Sequence, residues 1–277
     1  MTKTKKVLFI TQEVTPYIPE SEMSNVGRYL PQAIQEKGKE VRTFMPKWGN
    51  INERRHQLHE VIRLSGMNLI IDDTDHPLII KVASIQIARM QVYFIDNDDY
   101  FQNRLLTVDE NGEEYEDNEN RLIFYARGVL ETVKRLRWYP DIIHCHGWMT
   151  ALAPLYIKRV YKDDPSFRNA KVIMSVYEDA FKNNFSNKFA SKLTLKGIYK
   201  KDLTTIYEKE VDHTTLFKLA INHSDGIVQN SKHVNEEIIE HARQNDKPVL
   251  DYQPAFEDYA EACNNFYNII LETEKKE

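Results

Sequence analysis

The chain has 277 residues, with 37 Lys and Arg against 42 Asp and Glu and a net charge of −5, so it can bury a real core as one large α/β domain or two small ones, and one is favoured. No basic block or stripe is present to neutralise phosphates, which argues against nucleic acid as a partner. The apolar run after the basic start, Val7-Leu8-Phe9-Ile10, is too short for a signal-peptide core, and no run reaches membrane-span length, so no membrane association is expected.

Residues 6–11 are apolar and end in turn chemistry, which predicts a buried parallel strand. Over 24–37, Val26, Tyr29, Leu30, Ala33 and Ile34 recur at helical spacing, and Gly38 supplies a stop. A strand over 41–46 then completes a β-α-β unit. Between 58 and 95 three strand-like runs alternate around Gly66 and the acidic turn Asp72-Asp73-Thr74-Asp75-His76-Pro77. That turn lacks EF-hand ligand spacing and reads as a solvated hairpin. A long helix is expected over 117–137, capped by Asp117 or Asn118, followed by a strand over 142–145 and a helix over 149–160. After a strand over 172–176, the polar stretch 178–210 reads as a helical insert or a mobile loop bordering a cleft. A helix over 213–223, a strand over 226–229 and a helix over 231–244 capped by Ser231 follow. An amphipathic helix over 256–271 closes the series. Strands alternating with helices predict a Rossmann-like, doubly wound, mostly parallel sheet covered on both faces.

His144 and His146 stand two apart on a strand and face the same side, a spacing compatible with metal, but no third ligand is visible and no metal is expected. Cys145 points away from both and packs inside. It and Cys263 have no C-x-x-C partner, which indicates neither a disulfide framework nor a zinc ribbon and fits a reducing cytoplasm. No P-loop, nucleophile elbow or G-x-G-x-x-G is present, so the catalytic residues are unknown and no cofactor is expected.

The run Gln12-Glu13-Val14-Thr15-Pro16-Tyr17-Ile18-Pro19-Glu20-Ser21-Glu22-Met23-Ser24-Asn25-Val26 follows the first strand and opens a helix. It resembles the entry loop of glycogen and starch synthases, S-E-V-A-P-x-x-K-T-G-G-L-A-D-V. Four further segments match that family in order. They are Val92 to Asn97 with Tyr100-Phe101, then Asp117-Asn118-Glu119-Asn120-Arg121, similar to D-N-x-x-R, then Pro140 to Tyr156, similar to P-D-x-x-H-x-x-D-W-H-T-A-L-x-P-x-Y, and finally Ala220 to Ser231. The resemblance implies the amino-terminal half of a GT-B glucosyltransferase over residues 1–248. Residues 249–277 then correspond to the terminal helix that packs back on that half, with the donor-binding half excised between them. It also implies transfer of glucose from ADP-glucose to an α-1,4-glucan, in the cytoplasm.

The departures fall on the chemistry. The family's loop lysine aligns with Pro19 and its two glycines with Ser21 and Glu22. In the D-W-H-T turn the aspartate aligns with Gly147 and the histidine with Met149, while the histidine of the T-I-H-N strand end aligns with Tyr177. Glycines let a backbone approach a pyrophosphate and a lysine attracts it, whereas Glu20 and Glu22 set negative charge there. The same carboxylates also suit a helix start, whatever the ligand. Met149 cannot exchange a proton, and a tyrosine titrates too high for easy acid–base work. The substrate-binding candidates are Glu13, Asn25, Tyr100, His146, Trp148, Thr150 and Tyr177. Trp148 and Tyr177 are placed either to stack on a sugar or to edge the core. Three readings follow. One is a glucosyltransferase relative that is active only with a protein partner supplying the donor half or with unrecognised chemistry. The second is a non-catalytic glucan-binding or regulatory protein, and the third an assembly module that binds neither glucan nor nucleotide sugar.

Overall fold

The computed structural model of the chain describes residues 4–273. Strand β1 (Lys6–Thr11) leads to helix α1 (Glu22–Glu36), β2 (Glu40–Pro46), the two-residue β3 (His59–Glu60), β4 (Met67–Ile71), β5 (Thr74–Ile85) and β6 (Met90–Asp96). Helix α2 (Asn118–Arg135), β7 (Ile142–His146), α3 (Ala153–Arg159), β8 (Lys171–Val176) and the single-turn α4 (Phe189–Lys192) follow. Next come α5 (His213–Asn222), β9 (Gly226–Gln229), α6 (Glu236–Gln244), β10 (Val249–Leu250) and α7 (Phe256–Glu272).

The strands form one sheet in the order β10-β9-β8-β7-β1-β2-β6-β5-β3, with β4 paired to β5. From β10 to β6 every pairing is parallel, and only the β3–β4–β5 edge runs antiparallel. Chain order reverses at β1, which feeds β2 through α1 on one side and pairs with the much later β7 on the other. The rim above the carboxyl ends of β1 and β7 is where an open α/β sheet receives ligands.

Each face of the sheet has its own core. The larger holds Leu8, Ile10, Phe44, Phe94, Cys145 and Met174 against α2, α3, α5 and α6. The smaller holds Val7, Phe9, Ile142, Ile173 and Val228 against α1 and α7. Alternation along buried strands splits each one between the two cores, so β7 sends Cys145 one way and His144 and His146 the other. Helix α7 joins the second core through Tyr259, Ala260, Cys263, Phe266, Tyr267 and Ile270, five residues after β10. No helix among the described residues is long and apolar enough to cross a membrane.

Four local expectations change. The 231–244 helix starts only at Glu236 with Asn235 as cap, and Ser231 instead accepts from Glu178 N–H and donates to Glu22. The 149–160 helix begins as a 3₁₀ turn over Trp148–Thr150 and becomes α-helical at Ala153, where Pro154 suits a first turn. The three runs between 58 and 95 become four strands, because a turn at Gln86–Ala88 with Arg89 at φ 51° divides the last one without any Gly, Pro, Asn or Asp. Asp117 stands at the cap position of α2, but its carboxylate takes Arg104 and not the helix amides. The acidic turn is a hairpin, with Asp72 and Asp73 both left-handed as a two-residue loop requires.

Candidate functional site

The loop between β1 and α1 is closed by its own side chains. Ser21 and Ser24 form a reciprocal capping box: Ser21 Oγ accepts from Ser24 N–H at 2.9 Å, and Ser24 Oγ from Ser21 N–H at 2.7 Å. Two of the helix's orphan amides are thereby used, and these are the groups an anion needs. Ser21 Oγ also donates to the Glu13 carboxylate, and Glu22 crosses the rim to the hydroxyl of Ser231 beyond β9. Burial pushes the Glu13 carboxyl above its usual range; the Ser21 and Gln12 hydrogen bonds pull it back, and nearby Asp179 adds to the rise. Glu20 is exposed. Glu22 lies in the first turn of α1, the place that an acidic helix start gives it.

Between β1 and β7 the crevice is filled. Gly147 ends β7 at φ +79°, and a Cβ there would meet Gln12 Oε1 and Met23 Cε, each at 2.7 Å. Gln12 Oε1 accepts from Met149 N–H at 3.2 Å, and the Gln12 carbonyl from Trp48 Nε1–H at 2.7 Å. Gly27 is needed for the same closeness, since a Cβ on it would lie 2.2 Å from the Glu13 carbonyl oxygen. Gln12, Met23 and Asp179 were not singled out from the sequence as site residues, and Ser231 was expected only as a helix cap. Only the alternation of β7 and the glycine at its end signalled that something approaches there.

The candidate residues separate into two groups. Glu13, His146, Trp148, Thr150 and Tyr177 converge at the ends of β1, β7 and β8, with half-buried Asn25 on α1 nearby. His146 Nδ1 lies 2.8 Å from Tyr177 Oη, and its ring centroid 3.9 Å from that of His144. His144 bridges Tyr267 Oη at 2.6 Å and Ser175 Oγ at 2.7 Å, so hydroxyls occupy three of the four imidazole nitrogens and only His146 Nε2 lacks a partner. Burial pushes His146 down to about 3. Burial and then the neighbouring His146 carry His144 well below its ordinary value. Burial first, then Glu22, Cys263, Asp179 and Glu13, raises Tyr177 far above the usual phenol range, so it stays a neutral hydrogen-bonding group. Trp148 is 2% exposed and packs edge-on against Phe181, while Thr150 donates to the Gly147 carbonyl at 2.8 Å. Tyr100 lies apart beyond β6, 4% exposed, its hydroxyl 2.9 Å from His76 Nε2. The rings of Tyr100, Trp148 and Tyr177 are thus closed to solvent. Among the described residues no three His, Cys, Asp or Glu are grouped to hold a metal ion.

Open space lies beside the filled crevice. A polar cleft of about 470 Å³ runs from the end of β8 to the start of α5. Another of about 330 Å³ lies between 114–119 and 181–186, where Glu114 accepts from Lys182 and Asn183 N–H, each at 2.8 Å.

A family model described as the starch synthase catalytic domain matches residues 6–249. The chain belongs to the starch synthase catalytic domain family. It is 33% identical over 235 residues to a glycogen synthase of Pelodictyon phaeoclathratiforme, covering 84% of this chain and 47% of that protein. To a glycogen synthase of Chlorobaculum tepidum it is 31% identical over 267 residues, covering 96% and 52%. Among solved structures it is similar to the catalytic domain of starch synthase IV from Arabidopsis thaliana bound to ADP and acarbose, at a TM-score of 0.72, 19% identity and coverage of 90% and 51%. That last likeness is one of fold: a mixed α/β, mostly parallel sheet matching one half of a GT-B glycosyltransferase. The chain spans about half the length of the curated relatives it matches.

Within this starch synthase fold, strands β1, β7 and β8 and the start of α2 at Asn118–Arg121 form a buried scaffold, and Pro19, Ser21, Glu22, Gly147, Met149 and Tyr177 follow the carboxyl ends of those strands.

Proposed function

We propose that this chain serves α-1,4-glucan metabolism as the acceptor-side half of a glucosyltransferase, and that transfer from a nucleotide sugar requires a donor-binding half supplied by a partner. The observation that carries this is the loop at 19–22. Two amides at this helix start, Ser21 and Ser24 N–H, are committed to the capping box, and Glu20 and Glu22 set carboxylates beside them. Two like unit charges about 4 Å apart at an effective dielectric near 20 repel by roughly 4 kcal/mol, about a thousandfold in affinity. The domain reading goes with it: residues 1–248 form the half-enzyme, and α7 within 249–277 covers its second core where the donor half would otherwise intervene. Two buried free thiols, Cys145 and Cys263, support a cytoplasmic setting.

Calorimetric titration with maltoheptaose and, separately, ADP-glucose, followed by a transfer assay on the same samples, tests the reading. Heat with maltoheptaose, none with ADP-glucose and no transfer is the expected result. ADP-glucose binding with transfer overturns it, and silence with both ligands shifts the function to a purely protein-binding role.

A further inference from the structure

The cleft at the ends of β8 and β9 holds an unsatisfied hydrogen-bond acceptor. His213, the first residue of α5, lines this cleft and is 8% exposed. Its Nε2 lies 3.2 Å from Asp179 Oδ1, while Asp179 Oδ2 accepts from Trp148 N–H at 3.0 Å. An ionised carboxylate only accepts, so in its neutral form the imidazole carries its proton on Nε2 and leaves Nδ1 as a lone pair. Among the described residues Nδ1 has no hydrogen-bond partner. Phe181 and Phe217 hold the ring, with centroids 5.6 and 4.6 Å away.

The surroundings select the ligand's charge. Lys182 on the cleft wall disfavours a cation, and Glu178 with Asp212 disfavours an anion. Acceptors remain in reach of a neutral donor: His213 Nδ1, and the carbonyl of Asn184, whose amide gives one proton to Glu210 at 3.3 Å. Phe181 contributes an apolar edge. Acceptors beside an aromatic edge suit a polyhydroxy ring.

We propose that the Asp179–His213 pair is a sugar-hydroxyl recognition site, in which His213 Nδ1 accepts a hydrogen bond from a glucan hydroxyl and Asp179 acts as the positioning residue that fixes the tautomer. This rests on the glucan reading above and places the acceptor chain along β8 and α5, away from the filled β1–β7 crevice.

Asp179→Asn provides the sharp test. An amide has one accepting atom; if it stays on Trp148 N–H, the amino group faces His213 and the ring proton moves to Nδ1, turning the acceptor into a donor. The experiment records ring ¹⁵N–¹H spectra and calorimetric titrations with maltoheptaose for the full chain, Asp179→Asn and His213→Gln. Expected are an Nε2–H tautomer for His213 in the natural chain and a shift of its ring signals on saturation. The tautomer reverses in Asp179→Asn, and affinity weakens about three- to tenfold in each variant, the size of one neutral hydrogen bond. If the natural chain binds maltoheptaose while His213 signals stay still and both variants bind equally well, the pair is structural and the inference falls, with the glucan reading intact. If the natural chain does not bind maltoheptaose, the glucan reading falls and takes the site with it.

Discussion

Arg121 has no exposed surface, yet it donates to Tyr100 O at 2.9 Å, Asn118 Oδ1 at 2.7 Å, Leu105 O at 3.3 Å and Leu106 O at 2.7 Å. Its guanidinium also lies over Trp48 and Tyr115, 5.1 and 5.0 Å from their centroids. Burial pushes it down to about 10, so it is still charged at neutral pH. One side chain thus holds the whole 100–106 segment onto α2. Arg121→Met leaves three backbone carbonyls and an amide without a donor, and is expected to lower stability by about 3 kcal/mol or more. Urea unfolding followed by fluorescence checks this: a fall in midpoint at constant slope is expected, and an unchanged midpoint refutes it. Lys at this position recovers little, because a point ammonium cannot span four diverging acceptors. The motif around Arg121 was legible in the sequence, but its task was not, since three of its acceptors are main-chain atoms that any residue could supply. Gln12 escaped notice for the same reason: its amide serves a backbone N–H.

At the scale of elements, legibility followed burial. Strands β1, β7, β8 and β9 are short, largely apolar runs buried on both faces, so they could be read directly. The 178–210 stretch could not. It reads as polar, yet Phe181, Phe185, Phe189 and Leu193, four apart as on a helix, and Ile198, Leu203 and Ile206 are all buried, although the backbone is α-helical over Phe189–Lys192 alone. Its only α-helix is the single turn α4, and its order comes from docking: Glu119 accepts from Ser186 N–H, and Arg159 pairs with buried Asp202. Helix α7 was legible from its apolar stripe, and its weight can be estimated. Four large side chains, Tyr259, Phe266, Tyr267 and Ile270, are buried, each worth about 1.5–3 kcal/mol. Their sum, roughly 6–12 kcal/mol before entropy, rivals the stability of a whole domain. A chain ending at Pro248 is therefore expected to show no cooperative urea transition by circular dichroism. A retained sharp transition excludes α7 as the cover of the second core.

Across the whole molecule, α7 is joined to the sheet by a polar seam as well as an apolar one. Tyr267 meets His144, Tyr259 Oη donates to Asn230 Oδ1 at 2.6 Å, and Ser175 Oγ donates to the same oxygen at 3.3 Å. Because Ser175 spends its proton on Asn230, its oxygen accepts from His144 Nε2–H, and His144 Nδ1 accepts from Tyr267. Every member needs a neutral histidine, which ties the stability of the fold to pH. Both His144 and His146 have folded values well below the unfolded 6.5, His146 at about 3. From pH 6.5 downward the unfolded chain therefore binds the extra protons, and stability is lost as pH falls through that window. Two such groups give a limiting slope of about 2.7 kcal/mol per pH unit, which integrates to about 3 kcal/mol between pH 6.5 and 5. Glu13 works in the opposite sense, because its raised value favours the fold on acidification. That contribution is common to the natural chain and a His146→Leu/Tyr177→Phe variant, so it cancels in their difference. The variant removes one histidine together with its hydroxyl partner, and its acid slope is expected to be shallower by about 1.4 kcal/mol per unit. Urea midpoints measured from pH 7.5 to 5 decide the matter. Equal slopes in the two proteins would mean that His146 already titrates normally in the fold, and that the seam beneath α7 is open to water.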